Sequence, residues 1–327
     1  MKAVVIDRPG GPEVLGVREV PDPAFGPEEV LVRVRAAGVN RADLLQRRGR
    51  YPAPPGVPAD VPGLEFAGEI EACGERAAIF RVGDRVMGIV GGGAYAERVA
   101  THERACVAVP PALSFEEAGA IPEAFMTADD ALHARGSLGP GEAVLVHAAA
   151  SGVGTACVQL ARAAGARVIA LSRSAPKRRR LRDLGADHVL DSTSPNLEDA
   201  IRTAAGGSVD LVVDFLGASS FKLNLDVLGT GGRLVLVGTL SGSTVEADLS
   251  TLMTKRLTVK GTVLRGRPIE QKIALAQELS RRVIPLFATG RLVPVIDRVL
   301  PLEAAATAHA AMERNENFGK IVLRVGD

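Results

Sequence analysis

Ala143-Val-Leu-Val-His-Ala-Ala-Ala-Ser-Gly-Val-Gly154 is the stretch that decides the fold of this chain. Its first part is a short apolar run that predicts a buried strand, and its end is a glycine-rich turn that opens a helix. A strand, a tight turn and a helix in this order form the part of a dinucleotide-binding unit that receives a pyrophosphate. The amides at the start of such a helix face the anion, which the helix dipole also attracts.

The turn departs from the fingerprint Gly-x-Gly-x-x-Gly, because only the last glycine, Gly154, is in phase. The first two glycine places hold the small residues Ala149 and Ser151, so the backbone can still approach a phosphate closely. A glycine-rich turn without a ligand is the competing interpretation. The strand before it, the helix after it and the repeat of this alternation favour a pyrophosphate site. The residues expected to form it are Ala150, Ser151, Gly152, Val153 and Gly154.

The alternation of strand and helix predicts an α/β domain, a doubly wound parallel sheet over residues 122–266. Apolar runs such as Leu211-Val-Val and Leu234-Val-Leu-Val are nearly unbroken, as in strands that helices cover on both faces. Residues 1–121 instead carry short strand signals interrupted by Gly and Pro, which predict an irregular β-rich domain. The mixed elements of 267–327 are expected to complete that first domain.

The end of the second strand of the sheet predicts a preference for NADPH. Units that bind NAD place an Asp or Glu here, which accepts a hydrogen bond from the ribose 2′-hydroxyl. This strand instead ends in Ala170-Leu-Ser-Arg-Ser-Ala-Pro-Lys177, which contains no acidic residue. Hydroxyls and cations suit the dianionic 2′-phosphate, and the residues expected to face it are Ser172, Arg173, Ser174 and Lys177. Lys177 lies in the first helical turn, where a cation is unfavourable unless an anion is bound nearby. Arg179 and Arg182 are expected to form a solvated face of the same helix.

The composition of the 327 residues argues against several classes of function. A formal net charge of +1 and the absence of Trp argue against a specific nucleic-acid interface. No run approaches the roughly 18–20 apolar residues of a membrane span, so membrane insertion is not expected. The three cysteines are scattered, and none of the five histidines pairs with a Cys or a carboxylate at ligand spacing. A reduced, cytoplasmic protein without a bound metal is therefore expected, with His147 as a hydrogen-bonded structural histidine.

Three further stretches, together with the glycine-rich turn, carry a resemblance to a known family. They are Ala36-Ala-Gly-Val-Asn40 continuing to Gly56, Pro62-Gly-Leu-Glu65-Phe-Ala-Gly68, and Asn317-Phe-Gly-Lys320-Ile-Val-Leu323. The sequence resembles the zinc-free quinone oxidoreductases of the medium-chain dehydrogenase/reductase superfamily, and looks closest to their zeta-crystallin-like, tumour-suppressor-inducible branch. This resemblance implies a GroES-like domain, completed by the C-terminal tail, with a Rossmann domain inserted in it. Zinc-bearing relatives carry Cys in place of Asn40 and His-Glu in place of Leu64-Glu65. Their four-Cys structural-zinc lobe, expected beyond about residue 90, has no counterpart in this sequence. The resemblance therefore also implies that both zinc sites are absent.

The resemblance further implies roles for single residues. Asn40 and Tyr51 would line the pocket for nicotinamide and substrate as the catalytic pair, whereas Asp43 and Glu65 are expected to be structural partners. Ser192 lies where the family usually has a Tyr beside the adenine, within the segment Asp191-Ser-Thr193. The other residues expected to contact the cofactor are Thr127, Gly238, Thr239, Leu240, Val263, Leu264, Arg265, Asn317 and Lys320.

The resulting hypothesis is an NADPH-dependent reductase of a quinone or a similarly conjugated carbonyl compound. Hydride would pass from nicotinamide C4, and donors such as Tyr51, Asn40 or backbone amides would stabilise the charge that develops on oxygen. Two alternatives stay open: an enoyl or alkenal reductase of the same fold, and a non-catalytic NADPH-binding protein. The resemblance also implies a homodimer, in which the edge strand 257–263 would pair across a two-fold axis.

Overall fold

The computed structural model describes residues 1–326, which fall into two compact units. The first unit is Met1–Met126 with Leu264–Asp327, and the second is Thr127–Val263. Among the described residues, the strands in chain order are β1 (Lys2–Ile6), β2 (Leu15–Glu19), β3 (Glu29–Val39), β4 (Glu65–Cys73), β5 (Arg85–Ile89), β6 (Arg98–His102), β7 (Cys106–Ala108), β8 (Ala143–Val146), β9 (Arg167–Leu171), β10 (His188–Leu190), β11 (Val209–Asp214), β12 (Leu228–Leu236), β13 (Thr258–Gly261), β14 (Ile296–Pro301) and β15 (Lys320–Arg324).

Helices connect these strands, with short turns of other helical types at some of their ends. Over residues 1–326 the α-helices are α1 (Arg41–Arg47), α2 (Phe115–Ala118), α3 (Pro122–Asp129), α4 (Gly152–Ala163), α5 (Ala175–Asp183), α6 (Leu197–Ala205), α7 (Phe221–Val227), α8 (Leu249–Thr254), α9 (Ile269–Glu278), α10 (Ile284–Ala288) and α11 (Ala305–Glu313). Turns of π-helix follow α3 at Asp130–Arg135 and α9 at Leu279–Val283. Turns of 3-10 helix lie at Pro12–Val14, Glu103–Ala105 and Leu302–Ala304. None of the helices formed by residues 1–326 has the length and apolar character needed to cross a membrane.

The first unit is built on a sheet in the order β14-β15-β3-β4-β5-β7, with β6 also pairing with β3. Its two tail strands join the N-terminal part directly, because β15 pairs antiparallel with β3 through Ile321 and Val39. Buried side chains such as Val32, Phe66 and Leu323 form the core against one face of this sheet. The C-terminal tail therefore contributes strands to the sheet that begins with β3.

The second unit is a parallel sheet in the order β10-β9-β8-β11-β12-β13. The direction in which the chain adds strands reverses between β8 and β11, and ligands of doubly wound sheets bind at the carboxyl ends of strands at such a point. The glycine-rich turn follows β8 immediately. The predicted doubly wound fold is confirmed, and its sequence motif lies at the switch point.

Several expected elements differ in extent. The apolar periodicity predicts one helix over 271–284, whereas the helical segment covers 269–288 without a gap, as α9, the π-helical turn Leu279–Val283 and α10. Pro285 explains the wider π-helical turn before it, because proline lacks the amide hydrogen for the regular helical bond and its ring clashes with the carbonyl four residues earlier. The apolar run predicts a strand over 233–238, but β12 begins at Leu228, and its pairing with β11 shifts register between Val209 and Leu211. Gly229, Gly231 and Gly232 hide the start of this strand in the sequence, since Gly lowers strand propensity.

Candidate functional site

In the second unit, the glycine-rich turn is held by its own side chains. Ser151 caps helix α4, because its hydroxyl oxygen accepts a hydrogen bond from the Gly154 amide at 3.0 Å. Ala148 adopts a left-handed conformation with φ of 42°, which makes the exit from β8 sharp. The helix geometry leaves the amides of Gly152 and Val153 without an acceptor inside the helix. The turn therefore presents free amide donors at a positive helix end, which is the arrangement that binds phosphate.

Gly154 is required by close packing between strand and helix. A Cβ atom at this position would lie 2.5 Å from the Ala148 carbonyl oxygen and 2.7 Å from the Ala149 Cα. Both neighbours are backbone atoms that cannot move aside. The third glycine of a dinucleotide-binding turn has this same role of allowing helix and strand to pack closely. The close packing at Gly154 is therefore the observation that fits this turn to a dinucleotide cofactor.

A buried polar network lies beside this turn, at the ends of β8 and β11. The Asp214 carboxylate accepts hydrogen bonds from the Leu216 amide at 2.8 Å, the Ser220 hydroxyl at 2.9 Å and the Asn224 side-chain amide at 3.1 Å. The Asn224 oxygen in turn lies 2.7 Å from His147 Nε2. Burial lowers the pKa of His147, against the opposing charge of Asp214. The network fixes the backbone after both strands, and His147 is a hydrogen-bonded structural histidine, as predicted.

The expected 2′-phosphate residues lie around the start of α5. Ser172 is buried and its hydroxyl accepts from the Ser174 amide at 3.4 Å, while Arg173 is exposed and Lys177 is half-buried. Ser192 is half-buried, and Arg179 and Arg182 are exposed, as predicted for a solvated face.

Arg178 is a residue of this region that sequence reasoning missed. Its guanidinium donates to the Ser172 carbonyl at 3.0 Å and pairs with Asp191 at 2.9 Å. The basic run 177–182 does not indicate which of its side chains points towards the preceding strand, so the sequence offered no means of singling out Arg178. The pair joins the segment that carries Ser192 to the end of the second strand.

The remaining expected cofactor residues of the second unit differ in exposure. Thr127 is buried in α3, and Gly238 is half-buried just after β12. Leu240 and Val263 expose 51% and 57% of their surfaces, and Thr239 is also exposed. Their cofactor roles stay predictions.

In the first unit, Asn40 is tied into a buried charged cluster that we call the Lys320 cluster: Asn40, Glu65 and Lys320. The Asn40 amide nitrogen donates to Glu65 at 2.9 Å and to the Gly38 carbonyl at 3.2 Å, and its oxygen accepts from Lys320 at 2.7 Å. The Lys320 ammonium also donates to Glu65 and, at 3.0 Å, to the Val39 carbonyl. Lys320 is 4% exposed and Glu65 is fully buried. Because these donors are all engaged, a contact of Asn40 or Lys320 with a ligand would replace one of these bonds.

A second buried group surrounds Asp43. Its carboxylate accepts from the Asn40 amide at 2.8 Å, the Gly63 amide at 3.2 Å and the Tyr95 hydroxyl at 3.0 Å, which is the structural role expected for it. Burial raises the pKa of Asp43 to about 6, although these hydrogen bonds and the charge of Lys320 oppose the shift. The Tyr95 hydroxyl lies 3.4 Å from His309, whose pKa burial lowers to about 3. Sequence reasoning missed Tyr95 and His309 as partners, because 214 positions separate them.

Tyr51 packs under the guanidinium of Arg265. The Arg265 Cζ atom lies 4.9 Å from the centroid of the Tyr51 ring, and its Nη1 donates to the Tyr51 carbonyl at 3.0 Å. The other Arg265 nitrogens donate to the Gly91 carbonyl and the Gln46 side chain, each at 2.6 Å. The phenol is half-buried, and its pKa is raised by burial first and by the charge of Glu123 second. The guanidinium thus orients the ring that was expected to line the pocket.

The other residues of the first unit that were expected to contact the cofactor are also largely internal. Leu264 is 4% exposed, and the Asn317 side-chain amide donates to the Gly319 carbonyl at 2.7 Å. Arg265, like Lys320, has its donors engaged within the unit. The cofactor roles of these residues therefore stay predictions. A cofactor that bound to Arg265, Asn317 or Lys320 would have to replace a hydrogen bond that the side chain makes within the unit.

No group of three or more His, Cys, Asp and Glu side chains within residues 1–326 is arranged to hold a metal ion. One expectation about the histidines was wrong. His133 does pair with a carboxylate, since its Nδ1 lies 2.9 Å from Asp129 one helical turn earlier. The i, i+4 spacing on a helix was the signal, because such residues lie on the same face.

Comparisons with known proteins agree with this fold. The family model of the alcohol dehydrogenase GroES-like domain matches residues 26–111, and that of zinc-binding dehydrogenases matches residues 152–281. The quinone oxidoreductase of Lama guanicoe is 34% identical over 99% of this chain and 97% of its own. The human synaptic vesicle membrane protein VAT-1 homolog is 32% identical over 100% of this chain and 87% of its own.

Two solved structures are similar to this chain over almost its whole length. The quinone oxidoreductase of Escherichia coli complexed with NADPH has a TM-score of 0.88 and 29% identity, over 99% of this chain and 100% of that one. The CurK enoyl reductase has a TM-score of 0.86 and 27% identity, over 99% of each chain. The fold and the nucleotide-binding turn define a medium-chain dehydrogenase/reductase. Within that superfamily, the chain belongs to the family of quinone oxidoreductases and VAT-1 proteins.

Proposed function

We propose that this protein is a zinc-independent, NADPH-dependent oxidoreductase that reduces quinones or similarly conjugated carbonyl compounds. Within its family we place it in the zeta-crystallin-like, tumour-suppressor-inducible branch, on the motifs around Asn40 and Tyr51. Membership of the quinone oxidoreductase family supports the reaction class. The NADPH found in the Escherichia coli relative supports the cofactor.

The observation that carries zinc independence is the Lys320 cluster. The ammonium of Lys320 donates to both Asn40 and Glu65. The positive charge that balances the Glu65 carboxylate is therefore supplied by a lysine and not by a metal ion. Asn40 lies where zinc-bearing relatives have a Cys, and an amide engaged in three hydrogen bonds is a poor ligand for a divalent cation. The oxygen of the reduced acceptor would then be stabilised by protein donors, with Tyr51 the best candidate in the first unit.

NADPH, when bound, would supply a hydride from its nicotinamide ring. The turn at Ser151–Gly154 would hold the pyrophosphate through the amides of Gly152 and Val153. Arg173 and Lys177 would contact the 2′-phosphate, and Ser172 and Ser174 are the hydroxyls beside them. Thr127 would face the nicotinamide end of the cofactor.

The test is NADPH oxidation with a panel of acceptors: simple quinones, alkenals and enoyl thioesters. We expect quinones to give the highest kcat/KM. The similarity to the CurK enoyl reductase makes an enoyl or alkenal reductase the second candidate, and a preference for an enoyl thioester would establish it instead. Binding of NADPH without oxidation by any acceptor would point to a non-catalytic binding protein.

We also propose that the protein is a cytoplasmic homodimer. Strand β13 is the edge of the parallel sheet, and Val259 on this strand and Val263 just after it are exposed. An uncapped edge strand offers unpaired backbone groups to a second copy across a two-fold axis. Sedimentation of the purified protein would test this, and a monomer at micromolar concentration would contradict it.

A further inference from the structure

Asp214, the last residue of β11, carries a fully buried carboxylate that forms no ion pair within the described part of the chain. Four hydrogen-bond donors surround it instead. They are the amides of Leu216 at 2.8 Å and Gly217 at 3.2 Å, the Ser220 hydroxyl at 2.9 Å and the Asn224 side-chain amide at 3.1 Å. A buried carboxylate is costly unless such bonds replace its hydration, so any rearrangement of these donors is strongly disfavoured.

We propose that Asp214 is the positioning residue of the cofactor site, because it fixes the segments that follow β8, β11 and β12 relative to one another. This inference rests on the proposed function, since these segments would bind the nicotinamide cofactor. The three strands are neighbours in the parallel sheet, so their carboxyl ends lie along one edge. Ligands of doubly wound sheets bind outside that edge. We call residues 215–220 the β11 loop and residues 238–242 the β12 loop.

The β11 loop and the β12 loop are joined by backbone hydrogen bonds in both directions. The Leu240 amide donates to the Phe215 carbonyl at 3.2 Å, and the Ala218 amide donates to the Gly242 carbonyl at 3.0 Å. The loops also approach closely, because a Cβ atom on Gly217 would lie 2.6 Å from the Gly242 carbonyl oxygen. The position of the β12 loop therefore depends on the conformation of the β11 loop.

Ser241 fastens the two loops from the exposed side. Its amide and its hydroxyl donate to the Leu216 carbonyl at 2.8 and 2.7 Å, and the hydroxyl accepts from the Ser219 amide at 3.0 Å. The amide of the same Leu216 is bound to the Asp214 carboxylate. A single residue thus connects the buried carboxylate to the β12 loop, which contains residues expected to contact the cofactor.

The same carboxylate reaches the glycine-rich turn through Asn224 and His147. Because the Asn224 amide nitrogen faces the carboxylate, its oxygen faces His147 Nε2, at 2.7 Å. This oxygen can only accept, so Nε2 carries the hydrogen. Burial lowers the pKa of His147, which keeps the ring neutral. His147 directly follows β8 and precedes the turn, so the start of the turn is oriented from β11.

This arrangement predicts which part of the cofactor would be lost with Asp214. The glycine-rich turn and the two loops would face the pyrophosphate and the nicotinamide, which NADPH and NADH share. The 2′-phosphate would lie at the end of β9, outside these contacts. Loss of Asp214 should therefore weaken both cofactors by the same factor and leave the binding of adenosine 2′-phosphate unchanged.

The first arm of the test measures hydrogen exchange of backbone amides in the protein without cofactor. Asp214→Asn keeps the shape of the side chain but replaces an acceptor by a donor. We expect exchange about 10-fold faster at Leu240 and Ser241, which do not touch Asp214, while Val213 inside the sheet stays protected. If exchange at Leu240 and Ser241 is unchanged, the inference is overturned whatever the protein binds.

The second arm measures the Kd of NADPH and NADH by nicotinamide fluorescence, and that of adenosine 2′-phosphate by calorimetry. Asp214→Asn should raise the first two about 10-fold, the effect of about one buried hydrogen bond, and leave the third unchanged. Asp210→Asn is the matched control near the other end of β11, where the Asp210 carboxylate accepts from the Ala143 amide at 2.8 Å. It should leave all three affinities unchanged. An equal loss in both variants, or a loss confined to NADPH, would overturn the inference.

Ser241→Ala decides the question if Asp214→Asn does not fold, because Ser241 is exposed. Without the hydroxyl, the Kd of both cofactors should rise about 3-fold, the effect of about one neutral hydrogen bond. Ser243→Ala, at a neighbouring exposed serine, is its control and should change neither. Native affinities in Ser241→Ala would contradict the inference. If the native protein binds neither NADPH nor NADH, the proposed function fails, whereas the exchange measurement still reports whether Asp214 holds the loops.

Discussion

The two units of the molecule build their functional groups in opposite ways. In the second unit, the turn at Ser151–Gly154 presents backbone amides, and its only side-chain contribution is a hydroxyl that caps the helix. In the first unit, the Lys320 cluster and the groups around Asp43 are side chains brought together from β4, β15, the start of α1 and elements distant in sequence such as α11. A backbone site depends on local conformation, whereas a side-chain cluster depends on the whole sheet being in register.

Because of this difference, different kinds of substitution are expected to disrupt the two sites. A backbone site fails when its conformation or close packing is disturbed, and the cost is confined to a few residues. A buried charged cluster fails when one partner is removed, because the remaining charges lose their compensation. The following predictions test this contrast, beginning with the largest effect.

Lys320→Met should destabilise the first unit most. Removing this cation leaves the fully buried Glu65 carboxylate unpaired, and breaking a buried ion pair in this way costs about 3–5 kcal/mol. We expect a clear fall in the urea midpoint, followed by circular dichroism. Lys222→Met, which breaks an exposed pair with Asp226 on α7, is the control and should change little. Equal midpoints for the two variants would contradict the contrast.

Arg173→Ala combined with Lys177→Ala should weaken NADPH binding without affecting NADH. Each charge-assisted hydrogen bond to the 2′-phosphate contributes about 1.5–3 kcal/mol, so the combined loss in affinity should be about 100-fold or more. Titration of each cofactor by nicotinamide fluorescence would measure it. The control is Arg179→Ala with Arg182→Ala on the exposed face of the same helix. Equal weakening of NADH would refute the 2′-phosphate assignment.

Gly154→Val should disturb the backbone site by overpacking. The new side chain would meet the Ala148 carbonyl oxygen, and overpacking of this kind costs about 1–3 kcal/mol. We expect a lower melting temperature and a loss of NADPH binding. Gly261→Val is the matched control, since a Cβ there has no neighbour within 4 Å. If Gly154→Val binds NADPH normally, the close approach of helix and strand is not what the site needs.

Ser151→Val should have the smallest effect on stability. It removes the cap of α4, which is worth about 1 kcal/mol, and leaves the parallel sheet folded. Cofactor binding should weaken more than stability, because the turn loses the group that holds its amides in place. Ser151→Thr keeps the hydroxyl and should recover both properties. If Ser151→Thr loses as much stability and cofactor affinity as Ser151→Val, the hydroxyl cap does not order the turn.

Much of the second unit could be predicted because its signals are local. The apolar run 143–146, the turn and the helix that follows lie within one short stretch, and the same pattern repeats along the chain. Less of the first unit could be predicted, because its strands are short and interrupted by Gly and Pro. Strand β2 was missed, as was α8, whose Leu249 and Met253 are exposed and give no amphipathic pattern.

The site divides in the same way. The expected partner role of Asp43 agrees with its hydrogen bonds, whereas the pairing of Tyr95 with His309 and of Arg178 with Asp191 left no trace in the sequence. Glu123 is the clearest case, since a lone glutamate at a helix start is most often a favourable charge near the dipole. Only its surroundings in the folded chain raise its pKa.

The sequence by itself determined the alternation of strands and helices around the parallel sheet, the dinucleotide-binding turn and the absence of an acid at the end of the second strand of that sheet. These follow from residue types at fixed short spacings, and backbone geometry makes such patterns nearly unambiguous. The tertiary structure alone decided which charges meet around Glu65, Lys320 and Glu123, because β3, β4 and β15 become neighbours only through sheet pairing. Burial then changes the proton affinity of those charges, and burial is a property of the fold as a whole.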